Sequence, residues 1–338
     1  MGVRAPGGRG RPNMKYDVSG LGNPLVDILV HVDDGFLREN NLNKGIMHLI
    51  EKEESRRLID HLRGKPVEME SGGDCPNTIT TLALLGLDAA FTGKIGRDEL
   101  GDVFERKIRE KGVHSFLRKD RVDTGTSVIL ITPDKERTMN THLGACREYR
   151  REDLPAEMVE SSSIFYFTGY MWDTDNQKEA ARGAIAIAKR KGVRIAFDVA
   201  DPFAVERYKD DFLGLIERDV DVLFANAHEA ALLTGCGVED CAPVLGELCP
   251  LVVIKNGGNG SFVHHGGQVK SVPSFKTEVR DTTGAGDNFA AGFLYGLVKG
   301  YPVETCGSIA SFVASKTIEK IGAQAPVDIR ALVEAMPL

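Results

Sequence analysis

Residues 281–294 read Asp-Thr-Thr-Gly-Ala-Gly-Asp-Asn-Phe-Ala-Ala-Gly-Phe-Leu, and they restrict the fold of this chain more than any other stretch. Two glycines and a carboxylate lead into a run of small and apolar residues with helical character. A glycine-rich turn that opens a helix aims several backbone N–H groups at one spot, and the helix dipole adds positive potential there. That spot suits a phosphate, or an anion that develops during a reaction. Gly284 and Gly286 let the backbone approach such a ligand closely. Asp287 follows in the first turn and faces the same spot. A carboxylate beside an anion site makes chemical sense if it takes the proton from a hydroxyl that attacks a phosphoryl group. For a lone Gly-x-Gly-Asp, a helix start capped by Asp is the simpler reading. A second acidic residue, Asp281, and the small-residue helix behind it argue for the chemical one.

The 338 residues suffice for one large α/β domain or two ordinary ones, and 42% hydrophobic residues can fill a sizeable core. A net charge of −7 argues against a general nucleic-acid binder, which needs a basic face. The six Cys form no Cys-x-x-Cys pair and stand at no zinc spacing, so they read as reduced thiols of a cytoplasmic protein. No apolar run approaches the length of a membrane span. Residues 1–14 are rich in Gly and Arg and read as a disordered tail, with Met14 as an alternative start.

Asp-Thr-Thr-Gly-Ala-Gly-Asp resembles the C-terminal signature of the ribokinase-like (PfkB) carbohydrate and nucleoside kinases. The resemblance implies that Gly284, Ala285 and Gly286 form an anion hole and that Asp287 is the catalytic base. Near the start, residues 16–22 read as a buried strand that runs into Gly22-Asn23-Pro24-Leu25-Val26-Asp27. Asn23 and Asp27 stand between two strands, at 16–22 and 28–32, as a turn Asn and a surface Asp would, or as residues facing a cleft. Gly-Asn-Pro-Leu-x-Asp is similar to the opening of the adenosine kinase branch, where the Asp holds two ribose hydroxyls. A carboxylate can accept from both hydroxyls of a vicinal diol.

Gly72-Gly73-Asp74-Cys75-Pro76-Asn77 precedes an apolar helix over 78–85. Asp74 suits an N-cap, with Pro76 in the first turn. The spacing resembles the family's N-terminal signature, which implies that Gly72, Gly73 and Asn77 hold sugar hydroxyls. From 123 to 143 the pattern turns to β, with strands at 126–132 and 138–143. This resembles the family's lid, a small sheet completed by 28–32 and 46–50. Arg137, by itself a surface Arg beside a turn, then reaches the transferring phosphate, and Leu143 lines the base pocket. A strand at 163–168 ends in Tyr170-Met171-Trp172, three residues that pack by default but together offer a stacking platform for a base. The adenosine kinases carry a Phe in that segment, so base preference is open.

Asn226-x-x-Glu229 is a cap by count. In the resemblance it belongs to the nucleotide site, with Glu229 ordering the water shell of Mg²⁺. Lys255, Asn256, Gly258 and Gly260 then flank the ATP phosphates and ribose. The resemblance implies that Ala314, with Ala310 and Ser311, packs under the adenine. Asp281 and Thr283, with the 322–323 backbone, offer oxygens to a monovalent cation such as K⁺. No Gly-Lys-Ser/Thr P-loop occurs, and no Gly-x-Gly-x-x-Gly follows an early strand, so a nicotinamide dehydrogenase lacks support.

These observations predict a three-layer α/β/α domain over 15–338 with a mostly parallel central sheet. Strands and helices alternate from about residue 65, and lid segments lie at about 28–50 and 120–145. The expected activity is ATP- and Mg²⁺-dependent phosphorylation of the 5′-hydroxyl of a nucleoside, adenosine first, by a monomer or homodimer that binds neither nucleic acid nor membrane. The alternatives are a sugar kinase of the same family and a non-catalytic nucleoside sensor on the same fold.

Overall fold

The computed structural model describes residues 14–336, so the tail reading of 1–14 lies, but for Met14, outside the described residues. Nine strands form the central sheet. In spatial order they are Gln268–Val272, Ser261–His265, Leu251–Lys255, Val222–Asn226, Arg194–Asp198, Ser162–Thr168, Tyr16–Leu21, Ala89–Thr92 and His114–Ser115. The first two pairings, at the Gln268–Val272 edge, are antiparallel and the rest are parallel.

Side chains on a strand alternate between its two faces. In Ser162–Thr168, Ile164 and Tyr166 enter one core while Phe165 and Phe167 enter another. The first core lies under the helices Asp74–Leu84, Glu99–Glu110, Ala285–Lys299 and Val303–Ile318. The second lies under Asp175–Lys191, Pro202–Asp219 and Val238–Gly246. Burial on both faces is why the strands read as continuous apolar runs rather than alternating ones.

A second sheet of five strands runs Met47–Leu49, Arg137–His142, Gly125–Ile131, Leu25–His31, Glu68–Gly72. The expected lid segments supply four of them. The fifth, Glu68–Gly72, corrects the expectation that the α/β alternation begins near residue 65. Its charged residues hide the strand in the sequence, but it pairs antiparallel with Leu25–His31 and carries the Gly72 backbone into the cleft. The second strand also starts earlier than expected, so Asp27 lies inside Leu25–His31 and not in the turn before it. Val26, Ile28, Val30, Val128 and Leu130 turn one face of this sheet into the first core. The other face carries Asp27, Leu29, Ser127, Ile129, Ile131, Arg137 and Met139, which register places side by side.

Candidate active site

The turn at 281–287 meets the Asp74–Leu84 helix at the C-terminal edge of the central sheet. Gly284 caps the Ala285–Lys299 helix at φ 73°, and a Cβ there would collide with the Ala323 carbonyl oxygen. Glycine is required on both counts. Asn288 fixes the helix start from inside: its Nδ2 donates to the carbonyls of Gly284 (2.7 Å) and Ala323 (2.8 Å), and its Oδ1 accepts from the Thr81 hydroxyl at 2.6 Å. Thr78 donates to the Asp287 carbonyl at 3.1 Å. Sequence reasoning missed Thr78, Thr81 and Asn288. The i, i+3 spacing of Thr78 and Thr81, which puts both hydroxyls on one face of the helix, was the signal.

Asp287 stands in the first helical turn, and its Oδ2 accepts from the Asn77 Nδ2 at 2.9 Å. Burial pushes its pKa up from 3.8 to about 7. The negative charges of Asp74 and Asp198 add to the rise, while Asn77 and Lys255 oppose it. A carboxylate poised near neutrality in the first turn of a helix can accept a hydroxyl proton at physiological pH; of the N–H groups just before it, that of Ala285 donates to the Thr282 carbonyl at 3.1 Å. Asp74 is not the N-cap expected of it. Gly73 occupies that position at φ 99°, and Asp74 is the first helical residue, with its carboxyl raised to about 6 chiefly by burial. The cap moves back one residue because the tight crossing sits at Gly73, where a Cβ would collide with the Asn23 carbonyl oxygen.

On the lid side, Asp27 packs directly over Gly72: a Cβ at Gly72 would overlap the Asp27 carboxylate. Burial raises the Asp27 pKa to about 7, against the pull of nearby Arg137. Arg137 reaches across the cleft. Its Nη2 lies 2.5 Å from Asp281 Oδ2, and its Nη1 donates to the Thr283 hydroxyl at 2.8 Å. Asp281 also accepts from the N–H groups of Thr283 (3.0 Å) and Gly322 (2.7 Å). Of the oxygens expected to hold a monovalent cation, those of Asp281, the Thr283 hydroxyl and the Ala323 carbonyl have donors here, and the guanidinium brings a positive charge to them. Asn23 is buried, and its Oδ1 accepts from Gln177 Nε2 at 2.7 Å. Gln177, another residue the sequence did not flag, ties the 22–24 turn to the Asp175–Lys191 helix.

The nucleotide side has a second ionic cluster. Lys255 ends its strand 2.7 Å from Asp198, and a Cβ at Gly286 would lie 3.4 Å from the Lys255 Nζ. The ammonium thus sits beneath the 284–287 turn. Burial alone would push the Lys255 pKa down, but Asp198 and Glu229 outweigh it and raise it. Asn226 and Glu229 form a reciprocal capping box, with Glu229 N–H donating to Asn226 Oδ1 and Asn226 N–H to Glu229 Oε2, at 2.9 and 2.7 Å. Glu229 is buried and its pKa rises to about 7, again through burial first. Asn256, Gly258 and Gly260 form the turn that leaves Lys255, with Gly258 exposed and Gly260 at φ 88°.

Two expectations need correction. Met171 and Trp172 are not a platform for a base: both are fully buried in the second core, with Trp172 stacked against Phe167 and its indole N–H donating to Asp211 at 3.2 Å. A short 3-10 turn, Gly169–Trp172, swings them behind the sheet, and only Tyr170 stays half-exposed, its hydroxyl on Asp201. Ala310 is not free to lie under a ligand either, because the Gly292 backbone packs against it, while Ala314 on the same helix stays half-buried. Leu143 stays half-buried where it caps a 3-10 turn, its carbonyl accepting from the Cys146 thiol.

The chain matches the pfkB family carbohydrate kinase over residues 42–330. It belongs to the ribokinase-like PfkB family. It is 38% identical to the adenosine kinase of Sinorhizobium meliloti, with a TM-score of 0.86 over 95% of this chain and 99% of that one. A probable sugar kinase from Rhizobium etli is 36% identical, with a TM-score of 0.87 over 95% and 98% of the two chains. The adenosine kinase of Dictyostelium discoideum is 27% identical over 90% of this chain and 95% of its own. The protein is thus a carbohydrate or nucleoside kinase close to the adenosine kinases, and the family uses ATP as co-substrate, typically with Mg²⁺. All six cysteines are free, and among the described residues no helix is long and apolar enough to cross a membrane.

Proposed function

We propose that this kinase transfers the γ-phosphoryl group of ATP to the 5′-hydroxyl of a nucleoside, with adenosine the first substrate to test. The observation that carries the reading is the cleft-facing side of the lid. Asp27 and Ser127 lie in register beside Leu29, Ile129, Ile131 and Met139. Met47 and Leu49 at the edge are 46% and 65% exposed. A diol acceptor next to an apolar wall suits a ribose that carries a flat base. A free sugar would put hydroxyls against that wall, where they lack partners. The 22–27 segment and the likeness to the Sinorhizobium meliloti adenosine kinase support the same choice.

In this reading Asp27, Asn77 and the Gly72–Gly73 backbone hold the ribose. Asp287 takes the 5′-hydroxyl proton. The N–H groups of residues 284–287, with Lys255 beneath them and Arg137 opposite, stabilise charge on the transferring group. Glu229 would order the water shell of a bound Mg²⁺, which would supply charge neutralisation for the nucleotide phosphates. The lid brings Arg137 onto the 281–287 turn, which closes the cleft to water and protects ATP from hydrolysis.

The test is ADP release from ATP and Mg²⁺ across a panel of nucleosides and free sugars. Turnover with adenosine or inosine, and none with ribose or fructose, supports the proposal. Turnover with free sugars alone replaces it by the second reading, a sugar kinase, which the burial of Met171 and Trp172 and the likeness to the Rhizobium etli protein favour. No turnover with any of them would leave a nucleoside-binding protein.

A further inference from the structure

A chain of side-chain hydrogen bonds runs from Lys111, at the C-terminal end of the Glu99–Glu110 helix, to the carboxylate of Asp287. Lys111 Nζ donates to Gln324 Oε1 at 2.8 Å. Gln324 Nε2 donates to the Ser71 carbonyl and, at 3.1 Å, to Asn77 Oδ1. Asn77 Nδ2 donates to Asp287 Oδ2 at 2.9 Å. Gln324 and Asn77 are buried, and four segments far apart in sequence meet here. An Asn or Gln amide is nearly symmetric in shape, so its partners decide which end is oxygen. An ammonium only donates, so Lys111 requires the Gln324 oxygen on its side. That leaves the Gln324 NH₂ for Ser71 and Asn77. The Asn77 oxygen must then face Gln324, and its NH₂ must face Asp287. Glu70 holds Lys111 in place at 2.8 Å and is itself held by Lys107 at 2.8 Å.

We propose that Gln324 and Lys111 are positioning residues: together they lock the Asn77 amide so that its NH₂ is always presented to Asp287. The functional meaning rests on Asp287 being the base. With the lock in place, a hydroxyl that enters the cleft meets a carboxylate with one oxygen already held and the other free to accept. Without it, the Asn77 amide can flip and turn its oxygen onto Asp287, where two acceptors face each other. The other charged groups around Asp287 are Asp74 on its neighbouring helix, Asp198 at the end of its strand, and Lys255. None of these touches Gln324 or Lys111 through a described hydrogen bond or ion pair, so changes at the far end of the chain isolate the Asn77 contribution.

The experiment is a carbon-13 NMR titration of the Asp287 carboxyl in protein labelled at aspartate Cγ, with the resonance assigned by its absence in Asp287→Asn. It needs no substrate. Gln324→Met and Lys111→Met are expected to move the midpoint upward by about 1–2 pH units, the size of one hydrogen bond to a carboxylate, and Lys111→Arg to restore it. Lys111 is far enough from the cleft for its variant to serve if Gln324→Met does not fold. A midpoint unmoved in the folded variants overturns the proposal. The acid limb of kcat, measured with adenosine and Mg·ATP, separates the two readings. If the NMR midpoint moves and the acid limb does not, the positioning stands and Asp287 is not the base.

Discussion

Replacing Asp287 by Asn tests the base and the strain at the site in one variant. The side chains are isosteric, and the amide oxygen of the variant can still accept from Asn77 Nδ2, now 2.9 Å from Asp287 Oδ2. Substrate binding should therefore survive. Loss of a general base lowers the rate by about 10²–10⁴, or roughly 3–5 kcal/mol of activation free energy. Stability should move the opposite way. The pKa of Asp287 rises from 3.8 to about 7, so the fold disfavours its ionised form. A carboxyl whose pKa is raised by folding penalises the folded state fully above the folded pKa, and the penalty vanishes below the unfolded one. The shift of about 3 units sets a ceiling on the order of 4 kcal/mol at pH 8, reduced to the extent that water reaches the cleft. Asp287→Asn should melt several degrees higher than the wild type at pH 8 and within a degree or two of it near pH 4. Turnover and thermal melts at the two pH values decide the matter. Near-normal kcat would refute the base. Equal or lower stability at pH 8 would refute the account of its environment.

Asp27→Asn should raise KM for the nucleoside tenfold or more while leaving KM for ATP within about threefold, because Asp27 lies on the lid and not in the nucleotide half; steady-state kinetics with each substrate varied read both values. Arg137→Met removes the bond from the lid to Asp281 and Thr283, so kcat should fall by about 10² or more and the ratio of ATP hydrolysis to transfer should rise, measured as ADP formed against phosphorylated product. Because Arg137 engages Asp281 and Thr283, turnover should stay flat across a K⁺ titration against a K⁺-free buffer; a severalfold activation would show a cation taking the place of the guanidinium. Trp172→Ala should cost about 3–5 kcal/mol of stability in denaturant melts, and Trp172→Phe should leave the nucleoside KM unchanged, whereas a large rise in KM would return this residue to the base pocket.

What the sequence made legible follows from the range over which each constraint acts. The 281–287 turn was readable because its chemistry is local: consecutive N–H groups, a positive φ at Gly284 and a carboxylate in the first turn are properties of one short stretch. The central sheet was readable because burial on both faces leaves apolar runs that need no partner to recognise. The lid strand Glu68–Gly72 was hidden, since its residues gain strand geometry only from pairing with Leu25–His31. The same limit explains the misplaced aromatic cluster. Tyr170, Met171 and Trp172 sit at a strand end, where side chains of a parallel sheet face either the cleft or the layer behind it. The choice is made by a 3-10 turn and by the space left between Phe167, Phe197 and Phe212, which no local pattern encodes. Asn77 is the instructive case. The spacing after two glycines marked it as a ligand residue, yet its amide has two opposite faces, and a ligand side chain that can flip is a poor one. What decides its direction is Gln324, 247 residues away, and through Gln324 a lysine outside the cleft. Motif residues carry the chemistry, but the unremarked polar residues that orient them are distributed over the whole fold, because a buried amide must have all its partners and those partners come from whichever segment packs there.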